Sequence, residues 1–551
     1  MILSTSQYEA FTYITTNLQR EKVILLEGSA GTGKTTLTKN ICMHYNEIKN
    51  IQVCAITPTH KAKKVIHNIL NRNTIIPVAT LTIASALGKI REHSYVGTKT
   101  YSNGNNKKLS LYKLFIIDEV SMINDRDLKI IIEYSMTTNK QILLIGDSNQ
   151  IPCPVSKYEE KNNIVQKSDS FVFTDPKIKK IKLTEIMRQS LESPIIKLAV
   201  FMRDELLTDH SFEYMIDSTK FNNIIKCEDI YETFKLYYDR ESPNSCRIIA
   251  YTNASVKTHN LEVRNAMEYE GKYVIGELMM GYSNVGCTEL IIENGEDYII
   301  KRITPVVNHK INIYNNLVGY LIDLNIANTK TIIKNQFFIN INDENNIVFI
   351  NKLIELAEKI NSAHSNKFDY LEYMMLKNSV IFTEDIYKYE ERIFTETTLR
   401  EAHALLFVNI NEVIVNGKMT DTQMSEKINT AYPNIIIDRI NDKYKPMGES
   451  EQFADRYKMI EKDMYYGYSI TAHKSQGSTY NVAIVDEDDF QKIQNRWNYK
   501  YNKYESRIKE KNQLRYVAYT RAKTQLFLSK SSKEIDQEID QENILSICED
   551  E

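Results

Sequence analysis

The chain has 551 residues, 42% of them hydrophobic and 26% charged, and a formal net charge of −3. That length exceeds a single core and implies roughly three to five domains of about 100–200 residues each, with the composition of a globular protein rather than a disordered or fibrous one. So balanced a charge excludes attraction to polyanions by a global field, and any grip on nucleic acid must come from a local groove.

The seven cysteines form no C-x-x-C pair, which argues against a disulfide framework or zinc cluster and for a reducing compartment. No apolar run approaches the ~18 residues of a membrane span, and Met1–Gln7 has no basic or apolar leader, so a cytoplasmic protein without membrane contact is expected. The excess of Ile, Asn, Lys and Tyr (35 Tyr against 1 Trp) suggests an AT-rich coding genome, such as that of a virus working in host cytoplasm.

In chain order, residues 5–19 read as a helix carrying Gln7. Its amide donates and accepts at once, which suits the paired edge of adenine, or it lies on the surface. The apolar run Val23–Leu26 then leads into Gly28, Ser29, Ala30, Gly31, Thr32, Gly33, Lys34, Thr35 and Thr36, followed by a helical stretch from Leu37 to Met43. Strand, glycine-rich loop and helix are the context in which G-x-x-x-x-G-K-[ST] cradles a polyphosphate. Backbone N–H groups turn inward there and the helix N-terminus adds its positive end. Lys34 is expected on the β- and γ-phosphates and Thr35 on Mg²⁺.

Val53–Ile56 reads as a buried strand ending in Thr57, Pro58, Thr59, His60, Lys61 and Ala62. Such residues at a strand's carboxyl end suit a phosphodiester backbone, or form a helix N-cap beside a solvated lysine. Residues 94–101, a turn at Asn103-Gly104 and residues 107–114 predict a β-hairpin, which is either a loop of no consequence or a wedge. Leu114–Ile117 predicts a buried strand delivering Asp118 to Mg²⁺ and Glu119 to the attacking water. Gln141–Ile145 predicts another, ending in Gly146-Asp147-Ser148-Asn149-Gln150, with Gln150 placed to sense a γ-phosphate.

Arg188 lies in the 181–190 stretch, and Ile195–Leu207 reads as a helix. Arg247–Ala250 predicts a strand running into Asn253 and a further helix. Asn294-Gly295 predicts a hairpin between 290–292 and 298–300. Val318–Ile326 and Phe337–Ile341 read as strands, and Leu353, Leu356, Ala357 and Ile360 fall at the spacing of an amphipathic helix. Residues 365–460 read as mostly helical, their tyrosines as core rather than base-stacking surface. The α/β pattern returns at Gly467–Gly477, the strand Val482–Val485, a charged helix over 490–512 and Leu514–Lys523, before an acidic tail with a doubled Glu-Ile-Asp-Gln at 534–541.

Taken together, Gly28–Thr36, Thr57–Ala62, Ile116–Met122, Gly146–Pro152, Leu183–Gln189, Ile470–Gly477 and Tyr516–Lys523 resemble motifs I, Ia, II, III, IV, V and VI of superfamily-one helicases. The forms TAHKSQG, YVAYTRAK and GDSNQIP are most similar to the RecD/Dda branch, which moves 5′ to 3′ on single-stranded DNA. The resemblance implies an α/β fold of two RecA-like P-loop core domains, the first over 1–88 and 114–180, the second over 181–295 and 455–551. A small β-hairpin insertion (89–113) would be the branch's pin, and a larger insertion (296–454) an SH3-like β-barrel with a helical projection.

The resemblance also implies roles. Gln7 would contact adenine, the loop from Gly28 to Thr36 would hold ATP, and Thr35 and Asp118 would hold Mg²⁺. Glu119 would act as base, Gln150 would couple hydrolysis to movement, and Arg188 and Arg521 would reach the γ-phosphate. Thr57, Pro58, His60, Lys61, Asn253, Thr471 and His473 would face nucleic acid. Thr82-Ile83-Ala84 stands where the branch often has Thr-Ile-His, so one imidazole contact is missing. The expected partners are single-stranded DNA and its junctions with duplex, with replication or recombination proteins, and a monomer is expected. Open alternatives are an RNA helicase, a single-strand translocase or accessory ATPase that does not unwind, and an ATP-gated binding module, the last disfavoured by Glu119, Gln150 and both arginines.

Overall fold

The computed structural model describes residues 3–29, 31–72, 74–88, 90–93, 99–102, 106–151, 170–185, 194–204, 223–286, 291–361, 367–391, 393–395, 418–420, 454–493, 496–498 and 503–529. The first sheet consists of Val23–Gly28 (β1), Val53–Thr57 (β2), Ala79–Thr82 (β3), Leu114–Ile117 (β6), Gln141–Gly146 (β7) and Lys179–Leu183 (β8). Its order is β3-β2-β6-β7-β1-β8, with every described neighbour parallel. Between β3 and β6 the chain makes a two-stranded antiparallel hairpin, Ile90–His93 (β4) with Lys99–Ser102 (β5).

Near-continuous apolar strands are what a sheet covered on both faces requires. Because successive side chains point to opposite faces, β1 divides its residues. Ile24 and Leu26 join Leu143 and Ile145 of β7 and Ala10, Ile14 and Leu18 of the helix Thr5–Glu21 (α1) in one buried cluster. Val23 and Leu25 join Ile142, Leu144, Leu128 and Ile131 in the other.

The second sheet is also wholly parallel. It comprises Ile224–Cys227 (β9), Cys246–Ala250 (β10), Ser469–Thr471 (β20), Tyr480–Val485 (β21) and Ala522–Ser529 (β24), in the order β20-β10-β21-β24-β9. The same alternation recurs: Ile249, Ala483 and Val485 pack with the helix Ile508–Tyr519, while Ile248, Val482 and Ile484 face the insertion.

That insertion is built on an antiparallel sheet, Leu278–Gly281 (β11), Asp297–Ile311 (β12), Tyr314–Ile326 (β13), Ile332–Ile339 (β14) and Met464–Tyr466 (β19), in the order β14-β13-β12-β11-β19. Tyr298, Ile300, Ile322 and Leu324 bury one of its faces against the second core domain. The helices Ile347–Asn361 and Lys367–Lys377 follow, and Ile386–Glu391 (β15) pairs antiparallel with Ala454–Ile460 (β18), while Ile393–Thr395 (β16) pairs with Lys418–Thr420 (β17).

Several expectations are corrected. The hairpin strands are β4 and β5, not 94–101 and 107–114, and residues 106–111 form a 3₁₀ turn. Residues 181–183 belong to β8 and so to the first sheet, while β11 and β19 place 278–281 and 464–466 in the insertion's sheet. The Asn294-Gly295 turn does not join a 290–292 strand to 298–300; β12 pairs with β11 instead. Residues 490–512 are not one helix: a helix ends at Gln491, and Arg496–Asn498 (β22) pairs with Lys503–Glu505 (β23) before the next helix begins at Ile508. Within 365–460, β15 to β18 replace part of the expected helix. The acidic tail lies outside the described residues.

One position reads this packing directly. A Cβ built on Gly281 would stand 2.1 Å from the Glu293 carbonyl oxygen. Gly281→Ala is therefore expected to lower stability by about 1–3 kcal/mol, measurable as a drop in denaturation midpoint; an unchanged midpoint would contradict the close approach of these two backbone segments.

Candidate ATP and nucleic-acid site

Parallel strands deliver their loops to one edge, and the predicted chemistry sits at the carboxyl ends of adjacent strands β1, β7 and β6. The loop after β1 turns through Gly31 (φ 86°) and Gly33 (φ 75°), the latter heading the helix Lys34–Met43 (α2). A side chain at Gly28 would meet the Thr32 hydroxyl at 2.6 Å, so the glycine permits the turn's tight closure. Lys34 Nζ donates to the carbonyls of Gly28 and Ser29 (3.0 Å to the latter), which keeps the ammonium inside the loop. Thr35 and Thr36 are half-buried on the first turn of α2.

Gln7 is buried and used twice. Its Nε2 donates to the Thr32 carbonyl (3.1 Å), and its Oε1 accepts from Ser4 N in a capping box that starts α1. It therefore ties α1 to the phosphate loop.

Asp118 accepts from Glu119 N (3.0 Å). Its pKa is pushed up to about 7, chiefly by burial and then by the neighbouring Glu119 carboxylate, with Lys34 opposing. Glu119 is held in the left-handed region (φ 51°), and its Oε2 is buried with no hydrogen-bond partner. Such a conformation costs on the order of 1–3 kcal/mol outside glycine and is typical of functional sites. Gln150 Oε1 is likewise buried and unpartnered. Thr35 and Asp118 are hard oxygen donors of the kind Mg²⁺ takes, and a half-buried carboxylate pair beside Lys34 fits a divalent cation.

Asp147, three residues before Gln150, is buried, and its Oδ2 accepts from Tyr516 Oη at 2.9 Å. Tyr516 lies on the helix Ile508–Tyr519 of the second domain, so this hydrogen bond crosses between the core domains. Ile151, immediately after Gln150, is fully buried in the second domain's core cluster. Arg521 is buried too, its guanidinium donating to the carbonyls of Val517 and Ser478 and to the Thr520 hydroxyl, each at 3.0 Å. Arg188 and Ala30 lie outside the described residues.

The residues expected at nucleic acid also gather at carboxyl edges. Thr57 ends β2, but it is fully buried and its hydroxyl donates to Thr59 O (3.1 Å); Pro58 follows, half-buried. Thr59 caps the helix His60–Leu70 (α3), as the capping alternative predicts, yet Lys61 is not solvated. It stands 3.7 Å from Asp297, and His60 stands 3.7 Å from Glu293. In the second domain, Asn253 is exposed at the start of the helix Asn253–Ala266, next to Thr471 and half-buried His473 at the end of the adjacent β20. Thr471 caps its short helix by accepting from Lys474 N.

Residues 12–155 match the family described as an AAA domain. Protein R530 of Acanthamoeba polyphaga mimivirus, named as uncharacterized, is 24% identical over 516 residues, 86% of this chain and 90% of that one. The ATP-dependent DNA helicase dda of Enterobacteria phage T4 is 27% identical over 286 residues, 50% of this chain and 60% of its own length. The ATP-dependent RecD2 DNA helicase of Deinococcus radiodurans is 28% identical over 182 residues, 33% of this chain and 22% of its own length. The AAA-domain match and these helicase relatives support a superfamily-one helicase of the RecD/Dda type, an ATP-hydrolysing enzyme. Among solved structures, Bacteroides Pif1 bound to ssDNA aligns over 96% of this chain and 92% of its own, at 16% identity and a TM-score of 0.47.

Two residues of this helicase escaped the sequence reading. Tyr516 lies inside a recognised motif, but its bond to Asp147 spans most of the chain. Asp489 sits in the acidic run Asp486–Asp489 between the predicted strand and the predicted charged helix. It is buried and accepts from Tyr251 N, Thr252 N and the hydroxyls of Thr252 and Ser255, fixing the loop that presents Asn253.

Tyr516→Phe leaves the Asp147 carboxylate one donor short, at a cost of roughly 1–3 kcal/mol. Because donor and acceptor belong to different domains, the expected result is faster limited proteolysis between domains and a lower kcat for ATP hydrolysis with KM for ATP little changed. Wild-type proteolysis and kcat would contradict a bridging role.

Proposed function

We propose that this helicase hydrolyses ATP with Mg²⁺ to move 5′ to 3′ along single-stranded DNA and part duplex ahead of it, in replication, recombination or repair. The observation that carries the reading is the loop Gly146–Ile151, which holds Gln150 at the ATP edge of the first domain while Asp147 and Ile151 engage the second. Whatever Gln150 senses is thereby passed to both domains.

In the proposed cycle Lys34 exchanges loop carbonyls for phosphate oxygens, and Thr35 with Asp118 holds Mg²⁺. The metal, when bound, neutralises charge on the phosphates. Glu119, preset by its backbone and left without a partner at Oε2, orients the attacking water. Arg188 and Arg521 reach the γ-phosphate, Arg521 giving up its own domain's carbonyls to do so, and an arginine there is worth about 10³–10⁵ in rate where such fingers act. Closure and release of the cleft then alternate the grip of Pro58, His60 and Lys61, set in place by buried Thr57, with that of Asn253, Thr471 and His473 on one strand. Gln7 serves adenine from beside the loop it braces. The β4–β5 hairpin is proposed as the wedge. DNA is favoured over RNA because both named helicase relatives are DNA helicases.

Glu119→Gln should retain ATP binding and lose ssDNA-stimulated hydrolysis by ~10²–10⁴, the contribution of a positioned general base. Lys34→Ala should abolish hydrolysis with the circular-dichroism spectrum unchanged. Undiminished turnover in either variant would contradict the assigned site.

A further inference from the structure

The cationic face of α3 is already engaged. Lys61 and Lys64 form ion pairs with Asp297 and Glu296 at 3.7 and 3.1 Å between the first core domain and the turn that leads into β12 of the insertion, and His60, whose pKa burial lowers, stands 3.7 Å from Glu293. The Asn284 amide adds a contact 3.2 Å from His60 Nε2. At the helix end of these pairs the fit is close: a Cβ on Gly295 (φ 83°) would lie 3.7 Å from Lys61 Cβ, so the lysine stem rests on the turn's bare backbone.

The turn is rigid in its own sheet. Gly281 N donates to Glu296 O (2.9 Å), Gly295 N to Gly281 O (2.8 Å), Glu293 N to Tyr298 Oη (2.8 Å) and Asn294 N to Asn284 Oδ1 (2.9 Å). Asp297 is fixed further by Arg247, which is wholly buried and donates to both its carboxylate oxygens. The carboxylates are therefore preset rather than recruited, and they move with the insertion, whereas the cations move with the first domain.

We propose that the turn Glu293–Asp297 is a gate on the nucleic-acid face of the first domain. Its carboxylates occupy the α3 cations in place of phosphates, and a strand is gripped by α3 only when the turn withdraws. This rests on the reading that α3 contacts the strand. Carboxylate and phosphate cannot share the same ammonium groups without like-charge repulsion, so strand entry and breakage of the Lys61–Asp297 and Lys64–Glu296 pairs are one event. Separation of the insertion from the first domain thus sets when α3 becomes available.

The test is ssDNA affinity, measured by fluorescence anisotropy with a labelled oligothymidylate between roughly 50 and 200 mM salt. Asp297 is left intact, since removing it would strand buried Arg247. Glu293→Gln/Glu296→Gln keeps the turn's shape and is expected to bind roughly two- to tenfold more tightly, since it breaks the Lys64–Glu296 ion pair and removes the repulsion of phosphate by Glu293. Glu296→Gln alone should show a smaller tightening. Unchanged or weaker binding by both variants would overturn the gate, since a purely structural interface predicts one or the other. Lys61→Ala separates the two claims: weakened binding upholds α3 as a strand contact, and wild-type affinity would remove that reading and the gate with it.

Discussion

In both core sheets every strand runs parallel to its neighbours, and the rest of the molecule depends on that constraint. Parallel strands must be joined by crossovers, so helices cover both faces and the loops that carry chemistry leave from one edge. The alternation of Val23 and Leu25 against Ile24 and Leu26 into separate cores is the packing side of the same fact. It leaves the carboxyl ends of β1, β6 and β7 as the place where a glycine loop, a carboxylate pair and a glutamine meet without any of them being near in sequence.

The second theme is how charge is buried. Two of the most deeply buried arginines are paired with carboxylates, Arg247 with Asp297 and Arg515 with Glu487. Removing one partner of such a pair is costly because the other remains desolvated. At the ATP edge the pattern differs. Asp118 and Glu119 lie side by side, Glu119 sits in a strained backbone conformation, and both Glu119 and Gln150 leave an oxygen buried without a partner. These two oxygens lie where a ligand, a cation and a water are proposed to enter, and they are tolerated because the surrounding sheet over-determines the backbone.

Much of this was legible in the sequence because it is local. An apolar run followed by glycines or carboxylates reports a buried parallel strand and its exit loop, so β1, β2, β6, β7, β10 and β21 were readable, and so was the family. What was not legible depends on partners far along the chain. Nothing near Arg496–Glu505 distinguishes a charged helix from a hairpin, and the pairing of Trp497 with Tyr504 decides for the hairpin. The pairing of 386–391 with 454–460 and of 278–281 with 464–466 spans long separations and shifts the insertion's sheet beyond 296–454. Lys61 read as a phosphate ligand or a solvated lysine; the acid that holds it stands on another domain.

ATP turnover in this cleft is proposed to drive directional movement on a DNA strand. The measurement that tests this most directly is strand separation with duplexes carrying a 5′ tail or a 3′ tail, in DNA and in RNA, with Mg²⁺ and ATP. ATP-dependent opening of the 5′-tailed DNA duplex, and little of the others, is expected. Opening confined to 3′-tailed or RNA substrates, or none with any substrate despite active hydrolysis, would contradict the proposal.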